Sequence, residues 1–368
     1  MGRVKLLVIG GYLGAGKTTL LGRLAHRLAD RGSRVGLITN DQAADLVDTA
    51  VLSNDERVGV REVAGRCFCC GFEDLLGAAE SLRGELAADV LIAEPVGSCT
   101  DLSATILQPL KDRYASSFEL SPLTVLADPR RLTDILLGRP GSLHAFAAYI
   151  YRKQLEEADV IAINKADLLD GEQRARLESL AREQFPGAEV VALSAATGEG
   201  VDPWLDAMLK GGRAGQRLLD IDYDTYAAGE AVLGWLNAAA RLTAVGQAPD
   251  WPAFAERLMR DLHQRLQAAR SEVGHVKIVL QAGGGSITAN LTSLHGPPAV
   301  RGEADETVRH ARMTFNARVE TSPAELESIV RAAFAAACDD SIELAIDELR
   351  CLQPGRPEPT HRYSQVVA

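Results

Sequence analysis

The hydrophobic positions fall into two regimes along the chain. Over roughly the first two hundred residues, short runs that are apolar at nearly every position alternate with stretches in which apolar residues recur every three or four positions. Runs of the first kind occupy residues 4–9, 34–39, 58–63, 89–93, 123–127, 160–164 and 189–193. Strands of this kind are buried on both faces, as in a parallel sheet covered by helices on either side. The helical spacing predicts a helix at 18–31, where Leu20, Leu21, Leu24 and Leu28 share a face, and others at 72–87, 145–158 and 171–184. Residues 1–212 are therefore expected to form an α/β domain with a doubly wound, mostly parallel sheet.

Beyond the glycine-rich patch 211–215, read as a linker, the pattern changes. Helices are expected at 228–242, 251–270 and 323–338, and strands at 276–281, 286–292, 311–319 and 342–346. Residues 213–353 then form a smaller α+β domain with an antiparallel sheet. The proline-rich stretch 354–359 opens a segment, 354–368, that reads as a tail.

Composition narrows the function. Hydrophobic residues make up 46% and charged residues 24% of the 368, a foldable globular balance. With 39 basic against 50 acidic residues, the net charge of −11 argues against broad binding to nucleic acid or to an anionic membrane. No apolar run is long enough for a membrane span, and the opening stretch is too short for a secretion signal, so a cytoplasmic location is expected. Six cysteines are too few for a disulfide scaffold, and three of them crowd into residues 67–70, which suggests metal or redox chemistry in a reducing compartment.

Gly11-Tyr-Leu-Gly-Ala-Gly-Lys-Thr18 satisfies every defined position of the phosphate loop G-x-x-x-x-G-K-[ST], between a predicted strand and a predicted helix. The glycines Gly11, Gly14 and Gly16, with Ala15 between them, let backbone N–H groups curl around phosphates at a helix N-terminus. Lys17 would neutralise the β- and γ-phosphates, and the Thr18 hydroxyl would ligate Mg²⁺. Asn164-Lys165-Ala166-Asp167 ends a predicted strand in the order expected of a guanine reader: Asp accepts from the ring N–H and the exocyclic amine, while the Lys stem covers the base. Ser194-Ala195, at the end of the next strand, fits the companion loop near the guanine O6. Adenine presents the opposite donor pattern, so the nucleotide read here is GTP.

Glu94-Pro-Val-Gly97 caps another apolar strand. A carboxylate at that tip can hold the Mg²⁺ shell or orient a water, and Gly97 can approach the γ-phosphate closely. Asp41, just beyond residues 34–39, is a second acid at an adjacent strand end. Lys17, Asp41 and Glu94 are thus the candidate catalytic groups. Cys67-Phe-Cys69-Cys70, bounded by Gly65 and Gly71, can bring three thiolates onto one soft ion such as Zn²⁺ or Co²⁺. A tetrahedral ion would still want a fourth ligand. Cys99 is the candidate, with a neutral core thiol as the alternative. Cys338 and Cys351 lie isolated in amphipathic context and read as core.

Together the phosphate loop, the C-x-C-C cluster, Glu94-Pro-Val-Gly97 and Asn164-Lys-Ala-Asp167 resemble the CobW-type GTPases, relatives of the nickel-inserting GTPases of urease and hydrogenase maturation. The resemblance covers residues 4–212, and more weakly the opening of the second domain. It implies a slow GTPase that loads a transition metal at Cys67, Cys69 and Cys70 and passes it to a client metalloprotein or corrinoid system. It also implies nucleotide contacts at Gly14, Gly16, Lys17, Thr18 and Thr19, magnesium near Thr18, Asp41 and Glu94, and a homodimer as one arrangement open to the chain. Three features depart from the family pattern: there is no His-rich stretch, Thr39-Asn-Asp41 looks more like the nickel-inserting relatives than the Asn-x-x-Gly-Glu common in CobW-type members, and Glu94-Pro-Val-Gly97 replaces the usual Glu-x-Ser-Gly. The residues also admit a small-molecule kinase, which gives no role to the thiols, and a nucleotide-dependent switch whose thiols sense zinc.

Overall fold

The computed structural model describes residues 2–40, 56–63, 66–139, 143–305 and 307–367. The chain divides into two compact units: Met1–Gly141 with Ala148–Tyr226 and Pro357–Ala368, and Ser142–Ala147 with Ala227–Arg356.

In the first unit the apolar runs become strands β1 (Val4–Gly11), β2 (Val35–Thr39), β3 (Val58–Glu62), β4 (Val90–Glu94), β5 (Phe118–Leu120), β6 (Thr124–Ala127), β7 (Val160–Ile163) and β8 (Glu189–Ala192). They order as β3-β2-β4-β1-β6-β7-β8, with β5 also on β1, and every pairing is parallel. The α-helices along this part of the chain are α1 (Lys17–Asp30), α2 (Phe72–Glu85), α3 (Gln108–Arg113), α4 (Pro129–Leu136), α5 (Ala145–Glu157), α6 (Gly171–Gln184), α7 (Val201–Lys210) and α8 (Tyr223–Ala231), of which α5 and α8 each include residues of both units. The apolar stripe of α1 is buried as its spacing predicts, with Leu20, Leu21 and Leu24 at 0% exposure. Each such leucine contributes about 1.5–3 kcal/mol of burial. The sheet is wound to both sides of β1, so the ends of β1 and β4 flank the point where strand order reverses, the place where open α/β sheets bind ligands.

The second unit is an antiparallel sheet with strands β9 (Leu233–Ala244), β10 (Val273–Ala282), β11 (Gly285–Leu291), β12 (Ala299–Glu303), β13 (His310–Glu320) and β14 (Ile342–Leu352), in the order β12-β11-β10-β13-β9-β14. Helices α9 (Trp251–Ala269) and α10 (Pro323–Ala337) supply the rest of its core. The architecture is the expected α/β nucleotide domain followed by a smaller α+β unit.

Two readings change. The stretch 228–242, read as a helix, ends a short helix at Ala231 and then runs as strand β9, which is central to its sheet. Its alanines favour a helix locally, but Leu236, Ala238, Ala240 and Leu242 point alternately into the core, a period of two that tertiary pairing enforces. The segment 354–368, read as a tail, has its residues from Pro357 counted with the first unit. The glycine patch 211–215 is also anchored: Gly215 N–H donates to Asp159 Oδ2 at 2.6 Å and its carbonyl accepts from Gln108 Nε2 at 2.8 Å.

Candidate nucleotide and metal sites

The phosphate loop links β1 to α1. Gly16 caps the helix at φ 95°, and a Cβ there would sit 2.3 Å from Asn164 Nδ2, so the position admits no side chain. No acidic residue occupies the first turn of α1, which leaves its partial positive charge for an anion. Lys17 is buried and its Nζ donates to Gly11 O at 2.9 Å. Thr18 Oγ1 donates to Glu94 Oε1 at 3.3 Å, and Lys17 Nζ lies 4.0 Å from the same oxygen. A hydroxyl and a carboxylate brought together beside a lysine are a donor set suited to a hard cation. Thr19 is exposed one residue further on. Gly97 abuts the phosphate loop: a Cβ there would meet Leu13 N at 3.0 Å. Asp41 and Gly65 lie outside the described residues.

The Asn164-Lys-Ala-Asp167 motif is built by support from behind. Asn164 Nδ2 donates to Ala15 O at 2.7 Å, and its Oδ1 accepts from Ala195 N at 2.8 Å. It ties the phosphate loop to the Ser194-Ala195 loop. Lys165 adopts a left-handed conformation, φ 60°, and its Nζ pairs with Asp128 Oδ2 at 2.7 Å. Burial pushes the Asp128 carboxyl up, but Lys165 and Arg131 outweigh it and hold the group below its usual range. Asp128 also caps α4. Asp167 is exposed at the loop. Ser194 is fully buried, and its Oγ accepts from Thr197 N at 3.0 Å.

The three thiols converge. Cys67 Sγ lies 3.0 Å from Cys69 Sγ and 3.4 Å from Cys70 Sγ, and Cys69 and Cys70 are 3.7 Å apart. Zn–S bonds of about 2.3 Å at tetrahedral angles place sulfurs ~3.8 Å apart, so a bound ion would spread the cluster slightly. Among the described residues this is the group of His, Cys, Asp and Glu side chains close enough together for a metal. The loop is a tight turn, with Gly71 N donating to Cys67 O at 2.8 Å, and α2 begins directly after it. The thiols of Cys69, Cys70 and Cys99 pull the Cys67 ionisation far down, while the Cys67 sulfur pushes Cys69 up and, with burial, Cys70 up to about 11.

Several functional residues were not singled out by the sequence. Asn40, at the end of β2, donates from Nδ2 to Val63 O and Arg66 O, both at 2.7 Å, and accepts at Oδ1 from Phe68 N at 2.8 Å. It fixes the thiol loop to a strand end. Gln154 Nε2 donates to Gly97 O at 3.0 Å and to Cys99 O at 2.8 Å, which positions the segment after β4. Asp101 in that segment is buried and left-handed, φ 63°, an uncommon backbone state for a residue with a side chain. An asparagine directly after an apolar strand was the one available signal for Asn40; the others carry none.

The sequence model described as "CobW/HypB/UreG, nucleotide-binding domain" matches residues 5–192. A zinc chaperone CobW of Pseudomonas aeruginosa is 27% identical over 229 residues, which are 54% of this chain and 58% of that protein. The urease accessory protein UreG 2 of a Bradyrhizobium species is 31% identical over 209 residues, 54% of this chain and 87% of that one. The Zn(II)-bound YjiA GTPase from E. coli is a solved structure similar to it, with 18% identity, 92% of this chain and 100% of that chain covered, and a TM-score of 0.39. Among the described residues no helix is long and apolar enough to cross a membrane.

Proposed function

Because the chain belongs to the CobW/HypB/UreG family of nucleotide-binding proteins, matched over residues 5–192, we propose that it hydrolyses GTP and uses the cycle to take up a transition metal, zinc or cobalt, and hand it to a client. The observation that carries this reading is the convergence of Cys67, Cys69 and Cys70 on a loop that Asn40 fastens to the end of a strand in the nucleotide-binding sheet. In this reading Lys17 neutralises the β- and γ-phosphates, and the phosphate-loop N–H groups from Gly11 to Thr19 cradle them. Thr18 and Glu94, with Asp41 as the further acid, would hold Mg²⁺, which supplies charge neutralisation at the phosphates when bound. Glu94 and Gly97 face the γ-phosphate. Asp167 accepts the guanine N–H groups over the stem of Lys165, with Ser194-Ala195 beside the base. Cys99, buried two residues after Gly97, is the candidate for a fourth ligand, with a neutral core thiol as the alternative.

The name of the Pseudomonas relative favours zinc as cargo, and the thiolate set suits Co²⁺ as well. The client is a metalloprotein or a corrinoid-dependent system, the setting is the cytoplasm, and a homodimer is the assembly to look for. The test is paired: GTP and ATP turnover, and Zn²⁺ stoichiometry, in the parent protein and in Cys67→Ser/Cys69→Ser/Cys70→Ser. GTP-selective hydrolysis with one Zn²⁺ per chain, lost in the triple variant, is expected. Equal use of ATP, or zinc retained without the three thiols, contradicts the reading.

A further inference from the structure

Residues 357–367 run as an extended segment across the thiol loop and the segment after β4, both within the first unit. Glu358 N donates to Cys70 Sγ at 3.3 Å, Thr360 N donates to Cys69 O at 2.9 Å, and Thr360 Oγ1 donates to Cys70 O at 3.1 Å. The His361 ring packs edge-on against Phe72, the first residue of α2, with centroids 5.1 Å apart. Further along, Tyr363 N donates to Ala104 O at 3.1 Å, Tyr363 Oη donates to Asp112 at 2.6 Å, and Val367 N donates to Gln108 Oε1 at 2.7 Å.

One contact differs from these mostly exposed ones. Arg362 Nε donates to Asp101 Oδ2 at 2.7 Å, and that carboxylate, 1% exposed, also accepts from Tyr223 Oη at 2.8 Å. Asp101 is the left-handed residue two positions after Cys99 and four after Gly97. The segment therefore touches the metal-binding turn at one end and is fastened, through Arg362, to the loop that abuts the phosphate loop. Its grip on the thiol loop is backbone to backbone, backbone to sulfur and, through Thr360 Oγ1, side chain to backbone. An N–H donated to sulfur strengthens when that sulfur is a thiolate, because one partner is then charged.

We propose that residues 357–367 are a releasable cover over the thiol site, latched by Arg362 on Asp101, and that the cover sets how fast bound metal leaves. The inference rests on the metallochaperone reading of the thiols and adds the regulation of that site. With the cover seated, the Cys69–Cys70 side of the cluster is shielded from an incoming thiol or chelator. A movement of the 97–101 loop on nucleotide exchange displaces Asp101, withdraws the latch and opens that side to the client.

The test uses the full chain loaded with Zn²⁺ and measures transfer to an excess of a chromophoric chelator. Arg362→Ala should release zinc about ten- to a hundred-fold faster, the rate equivalent of one charge-assisted hydrogen bond, and Thr360→Pro, which removes one neutral backbone hydrogen bond, about two- to ten-fold faster, with zinc stoichiometry and GTP affinity unchanged in both. Arg362→Lys should recover part of the slow release. Release at the parent rate in both variants overturns the cover while leaving the metal site standing. A parent chain that binds no zinc removes the site and the cover together. A parallel rise in release and loss of GTP affinity marks a loosened fold and also overturns it. Amide exchange on the unmodified chain gives a readout independent of any variant: Zn²⁺ should slow exchange at Glu358, Thr360 and Tyr363, and unchanged exchange there contradicts the proposal.

Discussion

The phosphate loop and the thiol loop are both tied to strand ends of one parallel sheet, yet they are held in different ways. The phosphate loop is a contiguous piece of chain whose glycines and helix N-terminus shape it locally, with Asn164 bracing it from behind. The thiol loop depends on partners far away in sequence: Asn40 from β2, the Cys99 thiol from beyond β4, and the backbone of residues 358–360. A loop shaped mainly by its own residues and braced at few points is less sensitive to movements elsewhere in the unit. A loop assembled from several segments changes when any one of them moves, which would suit the proposed cycle, with nucleotide held and metal let go.

The largest break in that comparison is expected at Lys17. Lys17→Ala removes the buried cation at the phosphate loop, and GTP turnover should fall by about 10²–10³ with zinc stoichiometry intact. Steady-state hydrolysis alongside a zinc titration checks both halves. Asp167→Asn comes next: an amide cannot accept both guanine N–H groups, so the preference for GTP over xanthosine triphosphate should drop about a hundred-fold or more. Competition binding of the two nucleotides reads it directly.

Asn40→Ala sharpens the contrast from the other side. It removes three hydrogen bonds and leaves Phe68 N without its acceptor, so zinc affinity should weaken about ten- to a hundred-fold while GTP affinity changes far less. Equal losses at both sites would mean that the two loops are held alike. The smallest effect concerns Glu157, fully buried in α5 and accepting from Ser103 N at 3.0 Å and Thr100 Oγ1 at 3.2 Å. Burial pushes its carboxyl up to about 8. Its folded value lies above the unfolded one, so its contribution to stability is complete below the ordinary carboxylate range and is lost as pH rises through about 8. Glu157→Gln should flatten the decline of Tm between pH 5 and 8, and an unchanged decline would show that Glu157 does not titrate there.

What could be read from the chain follows the same division. The phosphate loop, the C-x-C-C cluster and Asn164-x-x-Asp167 were visible because their chemistry is encoded in neighbouring residues. The face of α1 was visible because Leu20, Leu21, Leu24 and Leu28 keep one period. Strand β9 was misread because alanines carry a helical preference that its pairing with β13 and β14 overrides. Gln154 and the 357–367 segment were invisible, and Asn40 was marked only by its place after an apolar strand, because their partners lie between 23 and 290 residues away. Asn164 was legible as a motif letter, but its work as a brace between two loops appears only once the strands are side by side.

The proposed nucleotide-dependent hold on the metal is the point on which both loops meet. The direct measurement is Zn²⁺ affinity by competition with a chromophoric chelator, first with a non-hydrolysable GTP analogue bound and then with GDP. A difference of roughly 5- to 150-fold is expected, matched by an equal effect of Zn²⁺ on the affinity for the analogue relative to GDP, and absent in Cys67→Ser, Cys69→Ser or Cys70→Ser. The same zinc affinity in both nucleotide states would contradict it, leaving a metal clip on a GTPase with no link between them.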